Sequence, residues 1–366
     1  MSRHGVFHQA SHVDAGTPDA THCGQVPRFR RSMRACLSWI AAVCVALLAW
    51  EAILQAVYFR LPPDRPHRVL GTVTAPGTYV SMQEGFCRAR IAADGLRGAD
   101  TPPSRSGEYR LLFVGDSFTE ALQVPDRETF AERAGVLVRS KGMPVYVANA
   151  GHSGALAATL LGQAPAYASM VAPDITIVQF RSGSFGPEAY SAGKKGYYIN
   201  RTPRGPEVRY DAPPRLGSVD NALLNWLRTR SVVRLARLQV KRITQRRQAG
   251  PAVTASEAPD PVDPAVIRWA IKELKRSYDR MVVLYIPTDC RSRAVASAPD
   301  EVALRSACGE IGVPFVSMRS AFAACLDRRH AFPNGFDNTA PGEGHLNQVG
   351  HDLVAHELAS AIARTL

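Results

Sequence analysis

The spacing of hydrophobic and polar positions changes several times along the chain, most sharply near the start. Residues 35–59 read ACLSWIAAVCVALLAWEAILQAVYF, apolar but for Ser38, Glu51 and Gln55. A helix of that length spans about 38 Å, enough to cross a bilayer with some tilt. From residue 107 onward, short apolar runs alternate with stretches of helical spacing. Tyr109–Val114, Val145–Ala148, Ile175–Phe180, Met281–Ile286 and Val313–Val316 are predicted strands. Glu128–Arg139, Leu156–Met170, Pro264–Ser277, Glu301–Ile311 and residues 348–364 are predicted helices. Such alternation predicts βαβ units and an α/β domain over residues 107–366, its parallel sheet covered on both faces. An irregular insertion is expected at about 186–262. Residues 60–106 carry Pro62, Pro63, Pro66, Pro76, Pro102 and Pro103 around short β-type stretches, Thr78–Val80 and Cys87–Ile91. They read as a stalk running into an edge hairpin.

Charge orients the apolar segment. Arg28, Arg30, Arg31 and Arg34 precede it, whereas Arg60, Arg65 and Arg68 follow more sparsely with Asp64 among them. The positive-inside rule then assigns residues 1–34 to the cytoplasm as a basic, disordered tail, 35–59 to an uncleaved transmembrane anchor, and the remainder to the extracytoplasmic side. A cleaved signal peptide and a buried core helix are the rival readings; the leader is long for the first and no clear A-x-A site is present.

Composition narrows the classes of function. Hydrophobic residues are 46% and charged residues 21% of 366, which excludes a largely disordered chain. Seven cysteines without CxxC pairs exclude a disulfide scaffold and a typical zinc site. Four of them, Cys87, Cys290, Cys308 and Cys325, follow the anchor; Cys290 and Cys308 can pair or remain separate thiols. The net charge of +12 favours acidic partners. Eight of the Lys and Arg residues fall in residues 222–247, which have an apolar face and read as a basic amphipathic helix. No nucleic-acid motif accompanies it.

The chemistry concentrates at two places. Gly115-Asp116-Ser117 follows the first predicted sheet strand directly, so the Ser117 hydroxyl would stand at a helix start, in the crevice where parallel sheets bind ligands. At the other end, Glu343-Gly344-His345-Leu346-Asn347 leads into the last helix, offering a base and an orienting carboxylate two residues apart. Asp337 is the competing carboxylate. His351 and His356 lie about 140° apart on a helix and form no metal pair.

Phe113-Val-Gly-Asp-Ser-Phe-Thr119, Asn149-Ala-Gly151 and Gly344-His-Leu-Asn347 followed by Gly350-His351, with Asp94-Gly-Leu-Arg97 upstream, resemble the signature blocks of SGNH/GDSL hydrolases of the membrane-anchored bacterial type. The resemblance implies a flavodoxin-like three-layer αβα sandwich. It implies Ser117 as nucleophile and first oxyanion donor, Gly151 as a second donor, His345 as base and Glu343 as the acid. One departure is visible: the third block, residues 174–185, has no asparagine, and Gly183 and Ser184 stand in the corresponding places. Arg181, Ser182, Ser184 or the backbone there can supply a substitute hydrogen bond, and Ser184 is the one assigned to the oxyanion hole. The function implied is a membrane-anchored extracytoplasmic serine esterase or O-acyl transferase. Its substrates would be acyl esters, of cell-surface carbohydrate above all, with polysaccharide export machinery as a candidate partner. No metal or organic cofactor and no nucleic acid is implied. The alternative is a catalytically weakened polysaccharide-binding or scaffold protein on the same fold.

Overall fold

The computed structural model describes residues 26–60, 62, 64–67, 70–98, 100–102, 105–192, 196–211, 230–233, 235–237, 239–240, 262–288 and 297–366. Most of the basic stretch 222–247, together with Cys23 and Cys290, lies outside the described residues. The first element is a long helix, α1 (Val26–Val57), whose Ser32–Val57 part reaches a mean hydropathy of 2.1 and is long and apolar enough to cross a membrane. Trp39, Val45 and Leu48 along it are all exposed. The chain up to Trp50 and the chain from Glu51 onward form separate compact units.

The described residues between 59 and 91 include short antiparallel pieces. β1 (Phe59–Arg60) pairs with β4 (Gly77–Ser81), β2 (Asp64–His67) pairs with β3 (Gly71–Thr74), and β4 pairs with β5 (Cys87–Ile91). The β4–β5 hairpin has one clean face: Cys87, Ala89 and Ile91 are buried while Arg88 and Arg90 are exposed, the alternation of a half-buried strand.

The second part is built around five parallel strands. In chain order these elements are β6 (Tyr109–Gly115), α2 (Ser117–Glu120), α3 (Phe130–Arg139), β7 (Val145–Gly151), α4 (Ala157–Val171) and β8 (Ile175–Arg181). An antiparallel pair, β9 (Gly196–Thr202) and β10 (Gly205–Asp211), occupies the start of the expected insertion and packs on α4. Then follow α5 (Pro264–Ser277), β11 (Met281–Ile286), α6 (Pro299–Ile311), β12 (Phe315–Ser317), α7 (Arg319–Arg329) and α8 (Gln348–Thr365). The strand order is β7-β6-β8-β11-β12, every pairing parallel. Counted along the chain this is 2-1-3-4-5, the flavodoxin-like doubly wound order.

The sequence explains the layers. β11 reads MVVLYI with all six residues buried, the continuous apolar run of a strand covered on both faces. In β6, Leu111 and Phe113 face one core with α3 and α8, whereas Leu112 and Val114 face the other with α4 and α5. Helix starts carry their own caps: Thr129 accepts from Glu132 N, Asp263 from Ala265 N ahead of Pro264, and Asn347 from Gly350 N. α7 is the helix that spacing did not reveal; its Arg319–Arg329 sequence carries little amphipathic signal, and only Phe322, Cys325 and Leu326 are buried.

Arg97 is one of the residues that join the hairpin to the sheet. Arg97 bridges to Ile91 and to Asn149 of the outer strand β7, with Arg97 N donating to Asn149 O at 2.9 Å. Its guanidinium turns inward, pairs with Asp126 at 2.9 Å, and donates to the carbonyls of Glu120, Ala121 and Val124. The loop after α2 is thereby tied to the hairpin side of the molecule.

Candidate active site

The crevice lies at the switch point of the sheet, between the carboxyl ends of β6 and β8, where doubly wound sheets bind ligands. β6 leaves the sheet through Gly115, and a Cβ there would come within 2.2 Å of Thr119 Oγ1 and 2.4 Å of Gln179 Oε1. Only glycine permits that close approach. Asp116 is the N-cap of α2: its Oδ1 accepts from Phe118 N at 2.9 Å, while its own N–H donates to Gln179 Oε1 at 3.0 Å. Ser117 is therefore the first residue of the helix, with a backbone N–H that no helical carbonyl can reach.

His345 closes on Ser117 from the far end of the chain. Its Nε2 lies 2.9 Å from Ser117 Oγ, and its ring centroid is 5.4 Å from that of Phe118. Nδ1 lies 2.7 Å from a carboxylate oxygen, Oε2 of Glu84. The same oxygen accepts the backbone N–H of His345 at 2.9 Å. With Nδ1–H donated to Glu84, Nε2 presents its lone pair to the serine hydroxyl. Burial raises the Glu84 carboxyl, but the hydrogen bonds and charge of His345 outweigh it and hold Glu84 below the ordinary carboxylate range.

The acid thus differs from the sequence expectation. Glu343 is exposed, and the carboxylate paired with the imidazole is that of Glu84. The reason lies in the loop. Gly342 and Gly344 both have φ of +77°, and Glu343 N donates to Ala340 O, so the chain reverses at Glu343 and carries its side chain outward while His345 turns inward. A Cβ on Gly344 would stand 2.8 Å from Glu84 Oε2. Asp337 is exposed as well; its neighbour Asn338 makes the contact that matters. Asn338 Oδ1 accepts from Gly85 N at 2.8 Å and Nδ2 donates to Met82 O at 2.9 Å, clamping the turn that bears Glu84.

The expected oxyanion donors fare unequally. Gly151 N–H donates to Asn149 Oδ1 at 3.0 Å, so it is already engaged within its own strand end. The glycine itself is required, since a Cβ would sit 2.1 Å from Glu120 N. Ser184 is buried in the turn after β8, with its N–H on Arg181 O at 3.0 Å and its Oγ accepting from Arg181 N at 2.9 Å. It builds the turn rather than facing the serine. Ser117 N–H is the donor that remains.

Two further carboxylates flank α2. Asp116 is 4% exposed at its side chain and pairs with Arg181 Nε at 2.6 Å; burial raises its carboxyl despite the Phe118 N–H and the guanidinium. Glu120 is buried and accepts from Ser153 N at 2.8 Å and from Ser153 Oγ. His152 donates its N–H to Gly115 O at 3.0 Å and lines a cleft of about 330 Å³ with Tyr197 and Tyr210. His351 is fully buried, its Nδ1 accepting from Phe130 N at 3.1 Å, and burial pulls its pKa down to about 3; His356 is exposed. Among the described residues, no cluster of three or more His, Cys, Asp or Glu is placed to hold a metal ion.

Comparison with known proteins yields structural likeness alone. No family model matches the chain, and no curated protein matches it. A two-domain esterase active on acetylated mannans is 14% identical, with 71% of this chain and 50% of that chain aligned at a TM-score of 0.38. A catalytic mutant of an acetylxylan esterase from Geobacillus stearothermophilus is 14% identical over 69% of this chain and 94% of that one, at a TM-score of 0.39. A family 3 carbohydrate esterase of Clostridium thermocellum is 11% identical over 70% and 99%, at a TM-score of 0.35. The chain spans half the length of the two-domain esterase.

Proposed function

We propose that this chain is a serine esterase or O-acyl transferase of the SGNH/GDSL type. It is anchored in the cell membrane by residues 35–59 and works on acyl esters of carbohydrate on the extracytoplasmic side. The observation that carries the reading is the continuous relay Glu84 Oε2, His345 Nδ1, His345 Nε2, Ser117 Oγ, at 2.7 and 2.9 Å. Hydroxyl, imidazole and carboxylate in that order and at those distances make a nucleophile, its base and the base's orienter. Ser117 Oγ attacks the acyl carbonyl while its proton passes to His345 Nε2. Glu84 keeps the imidazole in the productive tautomer and offsets the imidazolium charge. The leaving alcohol takes the proton from Nε2, and water or an acceptor hydroxyl then removes the acyl group from Ser117 by the reverse sequence. Transfer in place of hydrolysis requires only that a sugar hydroxyl reach the acyl-serine before water does.

Polysaccharide export machinery as a partner, and the periplasmic side as the location, follow from the same reading of the anchor and its flanking arginines. The test is direct. Full-length protein mixed with p-nitrophenyl acetate should release a burst of p-nitrophenol matching the enzyme concentration, and Ser117→Ala should abolish it. A fluorophosphonate probe should label wild-type protein at Ser117. Absence of both burst and label, together with salt-dependent binding of an acidic polysaccharide, would favour the alternative of a binding or scaffold protein.

A further inference from the structure

The relay supplies nucleophile, base and orienter, but the negative charge that develops on the carbonyl oxygen has so far one assigned donor, Ser117 N–H. We propose that the guanidinium of Arg181 completes this oxyanion site, its Nη2 edge donating to the oxygen beside Ser117. The inference rests on the esterase reading above and adds a catalytic residue to it.

The sheet register places the two residues together. β6 and β8 are adjacent, and Val114 is paired with Val178. Ser117 and Arg181 each stand three residues farther on, at the same end of neighbouring strands and on either side of the crevice. A shared carboxylate then fixes their relation. Asp116 Oδ2 accepts from Arg181 Nε at 2.6 Å, and Asp116 Oδ1 accepts from Phe118 N at 2.9 Å. One buried side chain therefore holds both the guanidinium and the first turn of the nucleophile's helix.

Each edge of the guanidinium has a different task. Nε is on Asp116, Nη1 donates to Ser182 O at 3.0 Å, and Nη2 has no protein partner among the described residues. The side chain as a whole is 31% exposed, so the guanidinium is not sealed in the core. The turn that carries it is braced from behind. Gly183 N donates to Asp300 Oδ2 at 2.8 Å, Tyr285 Oη donates to Asp300 Oδ1 at 2.9 Å, and Ser182 Oγ is 2.9 Å from Tyr285 Oη. Donors fixed before the reaction stabilise developing charge without reorganisation, which is what an oxyanion site needs.

In the step itself, the Ser117 Oγ–carbon bond forms as the carbonyl π pair moves to oxygen and the serine proton moves to His345 Nε2. The resulting alkoxide accepts from Ser117 N–H and Arg181 Nη2–H. Collapse returns the pair to the carbonyl, breaks the bond to the leaving oxygen, and gives that oxygen the proton from Nε2. A charged planar donor suits the alkoxide better than a neutral carbonyl, so its effect belongs to kcat rather than KM.

Steady-state hydrolysis of p-nitrophenyl acetate by the full-length chain tests this. R181A should lower kcat by about 10²–10³ with KM within about threefold, the usual result of deleting one oxyanion donor. Guanidinium ion at millimolar concentration should restore at least about tenfold to R181A and nothing to wild type or to S117A, since only a vacated donor site can be refilled. R181K, which keeps a cation beside Asp116, should lose about tenfold because the second edge of the fork is gone. A kcat unchanged in R181A or R181K overturns the assignment, as does a change confined to KM or a loss that guanidinium leaves untouched in protein with a wild-type melting curve. If R181A does not fold, R181K alone decides by the same criterion. A wild-type protein that neither turns over the ester nor takes a fluorophosphonate label at Ser117 overturns the esterase reading itself; one that does both, with indifferent Arg181 variants, overturns only the role of Arg181.

Discussion

The parallel sheet and the antiparallel hairpin beside it each deliver one end of the relay, and they do so by opposite means. The sheet positions Ser117 from the core: β6 is buried along nearly its whole length, and Gly115 and Asp116 lock the exit to Gln179 and Thr119. The hairpin positions Glu84 at the tip of a turn, where two bonds to Asn338 and one carboxylate oxygen on His345 hold it in place. A serine set by buried strands moves only if the domain unfolds. A carboxylate set by a loop clamp moves when two or three surface bonds are lost. The site therefore joins a part with the stability of the whole domain to a part with its own, lower stability.

Substitutions at the two ends test that division. Ser117→Ala or His345→Ala should remove about 10⁶ in kcat, the scale seen when a triad's nucleophile or base is deleted, with the melting curve unchanged. Glu84→Gln should remove about 10⁴ while leaving labelling competence detectable, because the imidazole loses its orienter and its tautomer. Glu343→Gln and Asp337→Asn, measured beside it, should stay within about threefold, as expected of exposed carboxylates away from the imidazole. A steep loss in Glu343→Gln would undo the assignment of Glu84.

Acid should separate the two regions without mutation. His351 joins α8 to the start of α3 and is held at a pKa of about 3, against an ordinary value near 6.5. Between those pH values the unfolded chain binds a proton that the folded chain refuses. Stability conferred by neutral His351 is therefore complete above about pH 6.5 and declines by about 1.4 kcal/mol per pH unit below it. Glu84 behaves in the other carboxylate sense: its depressed folded value contributes stability that is present above the ordinary carboxylate range and is lost as pH falls through that lowered value. Urea unfolding at pH 7 and pH 5 should show a drop that His351→Gln largely removes and Glu84→Gln does not. A more modest loss belongs to the clamp. Asn338→Ala should lower kcat by about tenfold and global stability by about 1 kcal/mol or less, the size of two exposed hydrogen bonds. Hydrogen exchange should then quicken at residues 82–86 and nowhere in β6.

How much of this was legible beforehand follows the same line. The strands of the sheet announce themselves because both faces are buried: Met281–Ile286 and Pro264–Ser277 fall where the spacing put them, and the other sheet strands differ by only a few residues at their ends. Ser117 and His345 were legible from the strand-exit glycine and the loop before the last helix. Glu84 was not. The two β-type stretches around it were visible, but nothing local says that the intervening turn meets a loop 261 residues away. That meeting depends on Arg97, which sets the hairpin against β7, and on Gly85, where a Cβ would strike the Phe336 ring at 2.6 Å. Glu343 misleads because adjacency in sequence is not adjacency in space: left-handed glycines on either side of it, Gly342 and Gly344, reverse the chain. The β9–β10 pair was missed as well: its residues are mostly half-buried, so the alternation that marks a strand is blurred.

The bridge from Arg97 to Asn149 has a consequence for the molecule among its own copies. β7 is a seven-residue outer strand of the parallel sheet, and its outward amides and carbonyls are a template on which another chain could add. The opposite border, β12, is only three residues long and offers little to extend. Arg97 takes up the carbonyl of Asn149 in an antiparallel bridge, which caps one position of that edge. The segment that carries Glu84 to His345 thus also blunts an edge open to cross-strand pairing, and its removal would leave β7 more prone to self-association.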